Sequence, residues 1–256
     1  MQELFDVQGR VVVVTGGSRG IGAMIAQGFL ESGARVYITA RKAEELQETR
    51  ERLSAFGECV AIVSDLSTLA GVEAFAADLA ERESGLDILV NNAGATWGAP
   101  VESFPEAGWD KTMNLNVKAP FFLTQRLLPL LRAAAGTGRR SRVINIGSVN
   151  GLAIDREMQN FAYSASKAAI HHLTRHLALE LAESGINVNA IAPGLFPSQM
   201  TAYMLESGED LGAHFPIHRV GNMEDAAGTA IFLSSRASEW MTGQVLALDG
   251  GALLQA

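Results

Sequence analysis

The sequence predicts an α/β fold: a doubly wound sheet of seven mostly parallel strands flanked by helices, in one domain spanning residues 1–256. Three observations carry that prediction. Short apolar, β-branched runs alternate with helical patterns along the whole length, as crossovers in a parallel sheet require. Nearly every distinctive short motif falls just after one of those runs, where open α/β sheets bind ligands. No stretch resembles a linker, and 256 residues, 48% of them hydrophobic, are enough for one large core.

The first expected strand, Arg10 to Thr15, reads RVVVVT, and GGSRGIG then turns the chain into a helix near Ile21 to Ser32. Strand two, Arg35 to Ala40, precedes a helix over Ala43 to Ala55. Strand three, Cys59 to Val63, precedes one over Gly71 to Glu81. Strand four, Ile88 to Asn91, leads into a long helical stretch from Trp109 to Ala135. Strand five, Val143 to Ile146, is followed by a helix over Phe161 to Glu183 and by strand six, Asn187 to Ile191. A helix over Met223 to Ser234 and a strand over Val245 to Leu248 complete the set. Right-handed crossovers then favour the open sheet. The least regular segment, Thr201 to Pro216, lies within a span of about 195–220 that is expected to act as a substrate-loop lid.

The formal net charge of −8 argues against nucleic acid, whose phosphates demand an excess of Lys and Arg. Arg139, Arg140 and Arg142, beside Gly136 and Gly138, read as a solvated loop. The opening MQELFDVQGR lacks the basic and apolar regions of a secretory signal, and no apolar run is long enough for a membrane span. Cys59 stands alone, which excludes an internal disulfide and suits a small buried apolar role. A cytoplasmic protein is expected.

Gly16, Gly20 and Gly22 enclose Ser18, Arg19 and Ile21 at the first strand-to-helix junction, in a GxxxGxG spacing. Glycines there allow a tight turn and close approach to a pyrophosphate, and the helix start offers free N–H donors. The second strand ends in Ala40-Arg41, where NAD enzymes ordinarily carry a carboxylate for the ribose hydroxyls. A guanidinium suits a 2′-phosphate instead, with Arg19 as a second positive group. The expected cofactor is NADP(H).

Tyr163 and Lys167, one turn apart in FAYSASKAAIHHL, can serve one site. A nearby ammonium favours the phenolate of a tyrosine. Together with NNAG (Asn91 to Gly94), Asn116, Ser148 after VINIG, Pro193-Gly194 and the closing LDGG, these motifs make an ordered set. The chain resembles the short-chain dehydrogenase/reductase family over residues 9 to 251. That resemblance implies a Rossmann-type fold, with Tyr163 as general acid in reduction, Ser148 orienting the carbonyl, and Lys167 holding the nicotinamide ribose. Asn116 would hold a helix distortion and a water relaying protons to Lys167. Asp65 and Leu66 would contact adenine, while Asn92, Ala93 and Gly94 would lie along the cofactor. Pro193, Gly194, Phe196 and Ser198 would line the nicotinamide, and Asn91 would chiefly stabilise the central sheet.

Within the family the chain is similar to NADPH-dependent β-ketoacyl reductases, including the rhamnolipid-associated branch, which implies reduction of 3-oxoacyl thioesters. The alternatives are a sugar, polyol or small-alcohol dehydrogenase and, outside catalysis, an NADP-sensing interaction protein. Trp97, Leu152, Ile154, Met200, Tyr203 and Met204, with Phe196 and Phe215, are candidates for an apolar substrate wall. His172, His176 and Glu180 have a spacing that suits a metal, but the helical wheel puts them opposite Tyr163, and no metal site is expected. The family resemblance also implies a homotetramer.

Overall fold

The computed structural model describes residues 2–154, 158–199, 201–202 and 210–255. Its sheet has the seven expected strands: β1 (Val11–Thr15), β2 (Arg35–Ala40), β3 (Cys59–Val63), β4 (Ile88–Asn91), β5 (Ser141–Ile146), β6 (Ile186–Pro193) and β7 (Val245–Leu248). The order is β3-β2-β1-β4-β5-β6-β7, and every neighbouring pair is parallel. The chain runs outward from β1 to β3, then returns to the other side of β1 at β4. That reversal opens a crevice above the carboxyl ends of β1 and β4.

Among the described residues, seven α-helices accompany the sheet: α1 (Gly20–Glu31), α2 (Ala43–Leu53), α3 (Leu69–Arg82), α4 (Glu106–Met113), α5 (Ala119–Ala135), α6 (Phe161–Leu181) and α7 (Met223–Ser234). Strand alternation divides the core into two layers. Val12 and Val14 of β1 pack with Phe29, Leu30 and Ala230 on the α1 and α7 side. Val13, between them, packs with Phe75, Leu79, Leu123 and Leu127 on the α3 and α5 side. No helix among the described residues is long and apolar enough to cross a membrane.

Two expectations need correction. The helix predicted from Trp109 to Ala135 is three pieces: α4, a π turn over Asn114–Lys118, and α5. The basic cluster is no solvated loop either. Arg142 is fully buried within β5, where it pairs with Ile88 and Asn187, and its guanidinium donates to the Ser235 carbonyl at 3.2 Å. Burial lowers its pKa to about 10. Arg140 donates to Asn187 Oδ1 at 2.5 Å and to the Ala182 carbonyl just beyond α6, so Arg139 alone of the three is exposed.

Candidate active site

The glycine loop is built by close approach. Gly16 has φ 63°, and a Cβ there would lie 2.9 Å from Ala93 Cα. At Gly22 it would run into the Gly16 carbonyl and the Asn92 amide. Thr15 Oγ1 accepts from the backbone N–H of both Asn92 and Ala93 at 2.9 Å, while Asn92 Nδ2 donates to the carbonyls of Thr15 (2.8 Å) and Gly16 (3.1 Å). The loop after β1 and the loop after β4 are thereby stitched into one floor.

That floor opens into a cleft of about 300 Å³. Of the residues expected to bind cofactor, Gly16, Ser18, Arg19, Gly20, Ile21, Arg41, Leu66, Asn92, Ala93 and Gly94 line it. So do Pro193, Gly194, Phe196 and Ser198. The start of α1 faces the cleft through Gly20 and Ile21, so free N–H donors and the positive end of the helix dipole meet it. Cradle, helix terminus and cationic rim fit a phosphorylated dinucleotide. Gly22 instead packs beneath the loop. Asp65 turns its carboxylate to the Ser67 N–H (3.1 Å) and hydroxyl (2.7 Å), and only Leu66 of that pair lines the cleft.

The cationic rim differs from expectation. Arg19 pairs with Glu45 at 3.1 Å, Lys42 lies 3.7 Å from the same carboxylate, and Ser18 Oγ donates to it at 2.8 Å. Arg41 forms no ion pair among the described residues. It, rather than Arg19, is the uncommitted cation.

At the other end, Ser148, Tyr163 and Lys167 line the same cleft. Lys167 Nζ donates to the Ile146 carbonyl at 2.8 Å and lies 5.4 Å from the centre of the Tyr163 ring. Tyr163 lies beside Ser148 on the cleft wall, and Ser148 Oγ accepts from the Asn150 N–H at 3.2 Å. Burial pushes the Tyr163 phenol up, and the neighbouring Ser148 hydroxyl pulls the other way. Burial lowers Lys167 to about 8. Lys167 was expected to lower the pKa of the phenol; in this geometry burial is the largest influence on it, and Ser148 opposes burial.

Asn116 sits in the π turn, and its side chain is fully engaged. Oδ1 accepts from the Ala95 N–H (2.8 Å), and Nδ2 donates to the Ala95 carbonyl and to Ser166 Oγ (both 2.9 Å). Its amide clamps the chain beyond Gly94 against α6. Asn91 acts within the sheet, donating to Asn145 Oδ1 at 2.9 Å, and Asn145 donates to Thr174 of α6 at 2.9 Å.

The substrate wall is largely redrawn. Trp97 lies flat over Gly108, where a Cβ would be 2.6 Å from its ring, and receives Lys111 on its face at 5.2 Å. Leu152 and Ile154 are exposed and do not line the cleft. Phe215 lines a separate small cavity with Leu195 and Ile217. Met200, Tyr203 and Met204 lie outside the described residues. Lys42, Glu45, Leu115, Gln199 and Thr201 line the cleft without having been foreseen. His172 and His176 stack edge to face at 4.9 Å on the exposed side of α6. Among the described residues no three His, Cys, Asp or Glu converge as a metal would need.

The comparisons agree with this geometry. A rhamnolipids biosynthesis 3-oxoacyl-[acyl-carrier-protein] reductase from Pseudomonas aeruginosa is 52% identical, over 98% of this chain and 99% of its own. The RhlG/NADP active-site complex of the same organism superposes with a TM-score of 0.94 at 52% identity, covering 98% of this chain and 99% of that one. The gluconate 5-dehydrogenase of Gluconobacter oxydans is 37% identical over 97% of this chain and 96% of its own. The short chain dehydrogenase family model matches residues 10–208, from the start of β1 past the Tyr163 and Lys167 pair, and it is to that family that the chain belongs.

Proposed function

We propose that the protein reduces 3-oxoacyl thioesters to 3-hydroxyacyl thioesters, using NADPH as hydride donor and Tyr163 as proton donor. The carrying observation is that Ser148, Tyr163 and Lys167 share one cleft with the glycine loop, so proton donor and dinucleotide cradle face the same space. As a family member the chain is an NADP(H)-dependent oxidoreductase. The 52% identity to a 3-oxoacyl reductase supports the thioester over other ketones.

When bound, the reduced nicotinamide supplies hydride to the carbonyl carbon. The Ser148 hydroxyl donates to the carbonyl oxygen and holds it beside Tyr163, whose O–H transfers its proton to the developing alkoxide. Lys167 lies behind the phenol, where its charge stabilises the phenolate left behind. The clamp on Ala95 by Asn116 keeps the cofactor floor in register with α6. We assign Arg41 to the 2′-phosphate, seconded by Lys42 and Arg19. Replacing Arg41 with Asp should lower the NADPH-over-NADH ratio of kcat/KM by about tenfold or more, the value of one charge-assisted contact. Equal ratios in parent and variant would remove Arg41 from that role.

A sugar or polyol dehydrogenase is the second reading, favoured by the 37% identity to gluconate 5-dehydrogenase. An NADP sensor without turnover is disfavoured by the intact Ser148, Tyr163 and Lys167. A series of 3-oxoacyl thioesters on coenzyme A and on carrier protein decides among them. kcat/KM should rise with chain length by up to about fourfold per methylene, ~0.8 kcal/mol each, until the pocket ends. A flat series with faster turnover of a keto sugar would install the second reading. The span 195–220 is assigned as the substrate lid. A homotetramer is supported by the exposed stripe of Phe161, Ala165 and Ala168 on α6, and a cytoplasmic location by the single free, buried Cys59.

A further inference from the structure

One buried ionisable group near the site has no part in that mechanism. His171 follows Lys167 by four residues and Tyr163 by eight, so it continues their side of α6. It is 4% exposed. Its ring fills the space beneath the turn that carries Ser148. A Cβ on Gly147 would collide with His171 Nε2, and one on Gly151 would lie 2.6 Å from the Lys167 carbonyl carbon and 2.8 Å from both the Ala168 nitrogen and His171 Cε1. Gly147 is thus matched to the imidazole, and Gly151 to the imidazole and the α6 backbone together, with Ser148 between the two glycines.

The same turn is held at its base. Ile146 is fixed by Lys167 through its carbonyl, and the Gly147 N–H donates to the Ile191 carbonyl at 2.7 Å. Beyond Gly147, backbone bonds stay within the turn, Gly151 N–H donating to the Ser148 carbonyl at 3.0 Å. From below, the turn rests on His171 and, at Gly151, on the α6 backbone at Lys167 and Ala168. Neither ring nitrogen closes a hydrogen bond, although one faces the Gly151 backbone. A buried polar group left open is costly, and an apolar residue in its place would avoid that cost. The imidazole stays neutral, since burial and the Lys167 ammonium together lower its pKa to about 4.

We propose that His171 is a positioning residue for Ser148, setting the Gly147 to Gly151 turn so that the serine hydroxyl meets both Tyr163 and the carbonyl oxygen. It touches neither substrate nor cofactor. The inference rests on the assignment of Ser148 as donor to that oxygen.

The test is a double-mutant cycle on full-length enzyme: His171→Leu and His171→Gln, each in the parent and in Ser148→Ala, with a 3-oxoacyl thioester that the parent reduces. In the parent, His171→Leu should lower kcat about tenfold while NADPH binding, read by nicotinamide fluorescence, stays within about twofold. Gln, which keeps a neutral, planar head of similar reach beneath the turn, should stay within about threefold of the parent. In Ser148→Ala, either change should alter kcat less than about twofold. Circular dichroism verifies folding, and if the Leu variant does not fold, His171→Ala takes its place in the same cycle. A loss undiminished in Ser148→Ala, a parallel loss of NADPH binding, or no loss in either background would overturn the proposal. A silent Ser148→Ala with an inactive Tyr163→Phe would remove both this role and that of Ser148, while leaving the reductase reading in place.

Discussion

Tyr163→Phe is expected to lower kcat by about 10²- to 10⁴-fold and to leave NADPH affinity within about twofold. Only the hydroxyl is removed, and that hydroxyl, beside Ser148 on the cleft wall, is the proposed proton donor. Single-turnover reduction with saturating NADPH isolates the chemical step, and a fluorescence titration reports binding separately. The ring that faces Lys167 stays in place, so the fold should be unaffected. Turnover within tenfold of the parent would mean that another group protonates the alkoxide.

Lys167→Met is expected to abolish turnover and yet to raise stability. Burial holds the folded pKa of Lys167 at about 8, below the ordinary 10.5. Between those values the unfolded chain keeps a proton that the folded chain has released. Burying this ammonium therefore costs stability below about pH 8, and the cost fades as pH rises toward 10.5. Its size is roughly 3 kcal/mol. Met has similar length and no charge, but it leaves the Ile146 carbonyl without its donor, a loss of about 1 kcal/mol. The net gain of about 2 kcal/mol should raise Tm at pH 7 by roughly 4–8 °C. Thermal melts at pH 7 and pH 10 check the sign, because the advantage of the variant must shrink at the higher pH. A Tm below that of the parent at pH 7 would contradict it.

Much of this architecture was legible because the pattern and the physics coincide. VVVVT followed by a glycine turn has one economical fold, and β2, β3, β4 and β7 fall on the residues predicted for them. β5 was drawn two residues short because Ser141 and Arg142 look like loop. Their pairing with β6 and the carbonyl of Ser235 is a long-range fact that no local window contains. The same limit hid Glu45, whose partners Ser18 and Arg19 are some 27 residues away. His171 was overlooked beside His172, although the four-residue step from Lys167 was visible in the sequence. The substrate wall was misread for a different reason. Apolar residues in edge loops pack on whatever lies nearest, and for Trp97 that is the bare backbone of Gly108.

The π turn at Asn114–Lys118 also fixes an azimuth. It leaves the helical path one residue out of phase, so α5 begins about 100° around its axis from where an unbroken continuation of α4 would place it. From that angle Leu123, Leu127 and Leu131 meet the sheet, and at the same seam the Asn116 amide reaches Ala95. Losing one residue there would mend the helix, swing its leucine stripe off the core and withdraw the clamp together. Core packing and the alignment of the two halves of the cleft thus share a single degree of freedom, and neither can drift without the other.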